Sequence, residues 1–184
     1  SGSGTMLMKH NYDIPLSRVT FHENGKLKSK WYIEEGDTIS RSFYEDGVSK
    51  RYEENQINSL YTKRKYYHKN GKVKEEGITK NLDGESLKKI NFKTPKDGLW
   101  KTYYENGKLK YEENYKSGIQ EGNRRYYREN GQLGSEGNYK NGEMEGIWKW
   151  YYENGKVREE GDYKNGKIIS LKCWNENGNE EECE

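Results

Sequence analysis

Three histidines, two cysteines and a regular series of glutamates are the residues of this chain with the means to do chemistry. Histidine is the side chain suited to proton transfer or metal ligation near neutral pH. Paired carboxylates can hydrolyse a glycosidic bond, and cysteines can form a disulfide or a redox pair. Position argues against most of these roles. His22 and His68 each stand three residues before a turn glycine, Gly25 and Gly71, a place that Tyr or Arg takes elsewhere. They read as ordinary strand-end residues, and neither sits in a recognisable Ser/His/Asp or Cys/His setting. Glu112, Glu136 and Glu160 recur at 24-residue intervals, which describes a solvated face rather than a carboxylate pair. Cys173 and Cys183 flank the last Asn-Gly, too far apart for a C-x-x-C motif. A disulfide closing that final hairpin and two free thiols are both open readings. The glycines of the array belong to hairpins, and no G-x-x-x-x-G-K-[ST] phosphate loop occurs. The expectation is a chain with no catalytic residue, no metal ligand and no cofactor.

What would position such residues is a repeat. Turn glycines recur at Gly25, Gly47, Gly71, Gly107, Gly131, Gly155 and Gly178, with spacings of 22, 24, 36, 24, 24 and 23. The long step is one repeat plus a 12-residue insertion. Self-similarity at this period marks an array of small supersecondary units. In the stretch from Gly98 to Lys167 each unit carries two turns, E-N-G and then K-S-G or K-N-G, the latter ending at Gly118, Gly142 and Gly166. Asn-Gly between alternating segments is a strong hairpin signal.

A three-residue E-N-G loop fixes a register. It places Tyr151 opposite Val157, Tyr127 opposite Leu133, Tyr103 opposite Leu109, Tyr67 opposite Val73 and Phe21 opposite Leu27. Each such cross-strand pair contributes roughly 0.2–1 kcal/mol. Extended along the strands, the same register sets Lys149 against Glu159, Lys65 against Glu75, Phe43 against Ser49, Trp174 against Glu180 and Cys173 against Glu181. It also puts Trp148, Trp150 and Tyr152 on one face with Lys156, Arg158 and Glu160. The expectation is a thin core on one face and a part-exposed aromatic and basic stripe on the other.

Composition agrees with a thin sheet. The chain lacks alanine, has 17 Tyr and 5 Trp, and is 35% charged and 29% hydrophobic. Such charge also suits disorder, but aromatics at a fixed phase do not. The predicted fold is all-β: an elongated, twisted antiparallel meander of double-hairpin repeats in an open single-layer sheet. Its organisation reads as an N-terminal lead or cap over 1–17 and an array over 18–184. Within the array, repeats over 18–60 are divergent, 78–97 is an insertion, 98–167 holds clear repeats and 168–184 is a C-terminal cap. Leu87, Ile90 and Phe92 in the insertion fit a longer hairpin better than a short helix.

The unit E-G-x-Y-K-N-G-x-x-E-G-x-W-x-x-Y-Y-E-N-G-K-[LV] resembles the bacterial MORN-variant repeat, of the kind often labelled YwqK-type antitoxins. The residues that carry the resemblance are Glu136-Gly137, Tyr139, Asn141-Gly142, Glu145-Gly146, Trp148, Tyr151-Tyr152, Asn154-Gly155-Lys156 and Val157. It spans Lys65 to Lys167 well and Val19 to Asn58 weakly. The resemblance implies a twisted antiparallel sheet without enzymatic activity, and roles in protein binding, toxin neutralisation or membrane contact.

The expected function is therefore a binding module for another protein, plausible as immunity-type neutralisation of a toxin. Tyr, Trp and Arg anchor interfaces, which makes Trp100, Tyr104, Trp148, Trp150, Tyr152 and Arg158 the candidate contacts. A surface or periplasmic adhesive protein and a lipid head-group scaffold are the alternatives. Net charge is +2 with both signs interspersed, which disfavours nucleic acid and a membrane surface. Open sheet edges allow self-association. No secretory leader is visible, which leans toward a cytoplasmic location. Ser1–Thr5 reads as a cloning remnant, so removal of a leader would make the protein secreted or periplasmic.

Overall fold

A computed structural model describes residues 5–10, 12–34, 37–44, 46–47, 50–56, 60–82 and 94–183. Every regular element among them is a strand. The chain forms two compact units, one ending at Thr94 and the other starting at Pro95. The first unit holds β1 (Thr5–His10), β2 (Tyr12–Phe21), β3 (Leu27–Glu34), β4 (Asp37–Phe43), β5 (Lys50–Gln56), β6 (Tyr61–Tyr67) and β7 (Val73–Lys80). The second holds β8 (Lys96–Tyr103), β9 (Leu109–Lys116), β10 (Ile119–Tyr127), β11 (Leu133–Lys140), β12 (Glu143–Tyr151), β13 (Val157–Lys164), β14 (Lys167–Trp174) and β15 (Glu180–Glu181). Within each unit the strands pair antiparallel in chain order, the meander that the turn spacing predicts. Residues 78–80 continue β7 and Lys96 opens β8. The remainder of the insertion, with Leu87, Ile90 and Phe92, and the Ile57–Ser59 turn lie outside the described residues.

The two turns of a repeat differ in geometry. In the E-N-G turn the Tyr152 N–H donates to the Lys156 carbonyl at 2.8 Å and the Gly155 N–H to the Tyr152 carbonyl at 3.1 Å. Gly155 sits at φ +83°, a backbone state that costs glycine nothing. In the other turn both central residues are left-handed, as at Asn141 (φ 52°) and Gly142 (φ 83°), the two-residue type I′ turn whose twist matches a hairpin. Neighbouring repeats clasp this second turn. Asp97, Glu121 and Glu145 each accept the N–H of the turn residue 20 positions on, at 2.7–2.9 Å.

All five aromatic–aliphatic pairs form as predicted. Immediately beyond each, the register slips by one. Tyr151 faces Val157 but Trp150 faces Glu159, leaving Arg158 as the extra residue of a β-bulge. The bulge overturns the expectations further along the strands. Lys149 pairs with Glu160, not Glu159, and Lys65 with Glu76, not Glu75. The Phe43 expectation fails at the turn itself, before the bulge, where Phe43 pairs with Lys50, one position later than expected. Glu160 consequently lies on the Lys149 face and not beside Trp148.

On that face the charges alternate across the second unit: Lys101, Glu112, Arg125, Glu136, Lys149, Glu160 and Lys172 are successive cross-strand partners. Ion pairs close at 3.2–3.3 Å for Lys101–Glu112, Arg125–Glu136 and Lys149–Glu160. The tyrosines thread into this row, Tyr151 Oη donating to Glu136 at 2.8 Å and Tyr127 Oη to Glu112 at 3.3 Å.

In the second unit the most buried residues lie on the other face, together with the aromatic stripe, whereas in the first unit Ile39, Phe43 and Tyr67 are buried on the face of the Arg41–Glu53 and Lys65–Glu76 ion pairs. Trp100 and Trp148 are each 2% exposed. The Trp148 indole covers Gly137 so closely that a Cβ there would fall 2.2 Å from the ring. Tyr139 packs edge-on at 5.1 Å, Trp150 follows at 5.9 Å, and Trp148 Nε1 donates to the Asn138 carbonyl at 3.0 Å.

Candidate protein-binding face

In five hairpins the residue three positions before the turn glycine has a shared task. Tyr104 Oη donates to the Tyr127 carbonyl at 2.8 Å, Tyr152 Oη to the Trp174 carbonyl at 2.8 Å and Tyr44 Oη to the Tyr67 carbonyl at 3.1 Å. Arg128 Nη2 donates to the Tyr151 carbonyl, and His22 Nε2 to the Phe43 carbonyl at 3.3 Å. Each side chain ties one repeat to the strand end of the next. His22, expected as an ordinary strand-end residue, takes part in the same contact.

Of the six candidate contacts, Trp100 and Trp148 are corrected by burial. At 2% exposure they offer no surface and serve as packing residues. Tyr104, Trp150 and Tyr152 are half-buried, and Arg158 is exposed with half its side chain in solvent. Trp150, Tyr152 and Arg158 come together. Three shallow recesses meet at Arg158. One, of about 350 Å³, is lined by Tyr111, Arg124, Tyr126, Arg128, Trp150 and Arg158. The second, about 500 Å³, adds Tyr152, Glu153 and Glu176. The third, about 440 Å³, runs past Leu171 and Trp174 to the two cysteines. Tyr104 joins through its hydroxyl, 3.3 Å from that of Tyr126.

Three members of this face escape a search for aromatics: Arg124, Arg128 and Gly134. Repeat phase is the signal that finds them. Arg128 replaces the tyrosine of Tyr104 and Tyr152, and Arg124 replaces the tryptophan of Trp100 and Trp148. Arg124 Nε donates to Glu113 at 3.1 Å, and its guanidinium lies 4.7 Å from the Tyr111 ring. Arg158 pairs with Glu159 at 3.6 Å.

Cys173 faces Glu181, as the register predicts. The cysteines are nevertheless bridged, with Cα atoms 5.3 Å apart. No change of loop size is needed, because β15 ends at Glu181 and Cys183 lies beyond its paired stretch.

The tyrosine hydroxyls are held neutral. Burial, then the hydrogen bond to Glu136, pushes Tyr151 up to about 12. Burial and the Tyr126 hydroxyl raise Tyr104 well above its usual range, and burial with Glu159 raises Tyr163. These shifts run away from neutrality, so the hydroxyls stay protonated at pH 7. Among the described residues no cluster of three or more His, Cys, Asp or Glu is placed to hold a metal. The face offers guanidinium donors and ring surfaces, the materials of recognition.

Residues 17–35, 60–81, 96–117, 120–141 and 144–165 match the family profile described as MORN repeat variant. Comparison with curated proteins returns no match.

Proposed function

Since the chain belongs to the MORN repeat variant family, we propose that it is a non-enzymatic module that binds another protein through the face around Arg158. The observation that carries this reading is the meeting of three recesses at one exposed arginine flanked by Trp150 and Tyr152. Half-buried Trp and Tyr beside Arg are the residues that dominate binding energy at interfaces. Tyr152 is pre-ordered here by its clasp to the Trp174 carbonyl, which lowers the entropic cost of association. The form of binding we favour is neutralisation of a toxin, in line with the antitoxin-like resemblance of the repeat unit.

Capture from a lysate of the source organism, followed by mass spectrometry, tests it. Wild type is expected to retain a defined protein, and the double variant Trp150→Ala with Tyr152→Ala is expected to lose it while keeping its far-ultraviolet circular dichroism. Equal capture by both proteins would reject this face. A captured protein whose toxicity is unchanged by co-expression would reject neutralisation and leave binding in place.

A further inference from the structure

In the six hairpins from Gly25 to Gly155 the bulge that follows the turn carries one extra residue, and its identity is patterned. It is Lys28, Arg51, Lys74, Lys110 and Arg158 in five hairpins, and Gly134 in the sixth. The Lys110 ammonium shows what the basic residue does, lying 5.1 Å from the Tyr104 ring and 5.5 Å from Tyr111. At Gly134 that side chain is missing. The Tyr126 ring leans into the space, 2.7 Å from where a Cβ would stand. Beside it opens the recess of about 350 Å³ lined by Arg124, Arg128 and Arg158.

We propose that Gly134 opens a socket for one carboxylate of a protein partner, an Asp or Glu side chain held by these three arginines between Tyr126 and Trp150. The inference rests on the protein-binding reading above and names the chemistry of its partner. Charge sets the ligand. Glu113 lies 3.1 Å from Arg124 and Glu159 lies 3.6 Å from Arg158. They offset two of the three guanidinium charges. The hydrogen bonds of Arg128 go to the carbonyl oxygens of Leu133 (3.3 Å) and Tyr151. Within this recess, whose lining holds no carboxylate, the Arg128 charge is the one left unopposed to attract a ligand.

A carboxylate supplies a single negative charge in a planar shape that the guanidinium fork grips with two parallel bonds. A phosphate carries close to two and would reverse the sign of the socket. Glu153 and Glu176 border the adjoining recess and repel a second anion. A nucleic acid or lipid surface needs a broad basic field, which a face of interleaved charges does not provide.

The test is a titration of the full chain, read by NMR at the Nε–Hε groups of Arg124, Arg128 and Arg158. The probes are acetyl-Glu-Tyr-amide, acetyl-Gln-Tyr-amide and inorganic phosphate. The Glu peptide is expected to shift these signals saturably and to bind roughly tenfold more tightly than the Gln peptide. Arg158→Gln and Gly134→Lys are expected to abolish the shifts. Gly134→Lys must displace Tyr126, so Arg158→Gln, at an exposed position, is the variant that keeps the test decisive.

Equal titration by the two peptides would overturn the proposal. So would tighter binding of phosphate, or pelleting with phosphatidylserine vesicles that depends on Arg158. Partner capture that persists in Arg158→Gln, with no carboxylate titration, sinks the socket and leaves the protein-binding reading. Titration without capture of any protein sinks that reading and keeps the carboxylate chemistry.

Discussion

The Tyr152 hydroxyl donates to the Trp174 carbonyl at 2.8 Å, across 22 residues of sequence. The same side chain frames two recesses of the binding face. One hydroxyl thus fixes the spacing of two repeats and the posture of a recognition residue. Tyr152→Phe keeps the ring and removes the donor, which leaves the carbonyl unsatisfied. A loss of about 1 kcal/mol is expected, read as a lower urea midpoint with an unchanged slope. An unchanged midpoint would show that water replaces the clasp.

Gly137 is the floor beneath Trp148. A methyl group there would sit 2.2 Å from the indole, and neither a strand backbone nor a ring buried on all sides can yield cheaply. Gly137→Ala is expected to destabilise the second unit by roughly 1–3 kcal/mol. Tryptophan emission should shift to the red as Trp148 is pushed toward solvent. Unaltered emission and melting would mean that the ring repacks without cost.

Stability should decline at high pH. Tyr151 titrates near 12 in the fold against about 10 in the unfolded chain, so the native state holds the proton more tightly. Stability is then complete below pH 10 and falls as pH rises through 12. Tyr104 and Tyr163 shift in the same direction. Melting temperatures followed by circular dichroism from pH 9 to 12 are expected to drop, and Tyr151→Phe should flatten the curve. A wild-type curve that stays level, or rises, would contradict the assignment.

The Cys173–Cys183 bridge closes a short loop at the end of the second unit. A cross-link of this span restricts the unfolded chain by roughly 2–3 kcal/mol. Only Cys173 and Trp174 are paired to β15, so reduction should act locally. Amides of residues 175–183 are expected to exchange faster with solvent while the main melting transition moves little. A large drop in that transition would show that the hairpin supports the whole unit.

The turn chemistry and the phase of the aromatics were enough to determine the meander, its two kinds of turn and the five aromatic–aliphatic pairs. Those features are local: an Asn-Gly turn dictates which residues meet within a few positions of it. The site was only half legible. Trp150, Tyr152 and Arg158 stand out by type, whereas Gly134 matters for the side chain it lacks, and Arg128 for standing where a tyrosine does elsewhere.

Tertiary structure decided the rest. The bulge beyond the Gly155 turn moved Glu160 to the face of Lys149 and left Arg158 beside Trp150. Packing over Gly137 turned Trp148 from a candidate contact into core. The end of β15 at Glu181 let the cysteines meet without altering the register. In each case the outcome depends on a neighbouring strand's backbone, set by residues 10 to 24 positions away, and a residue's type and phase do not specify where that backbone lies.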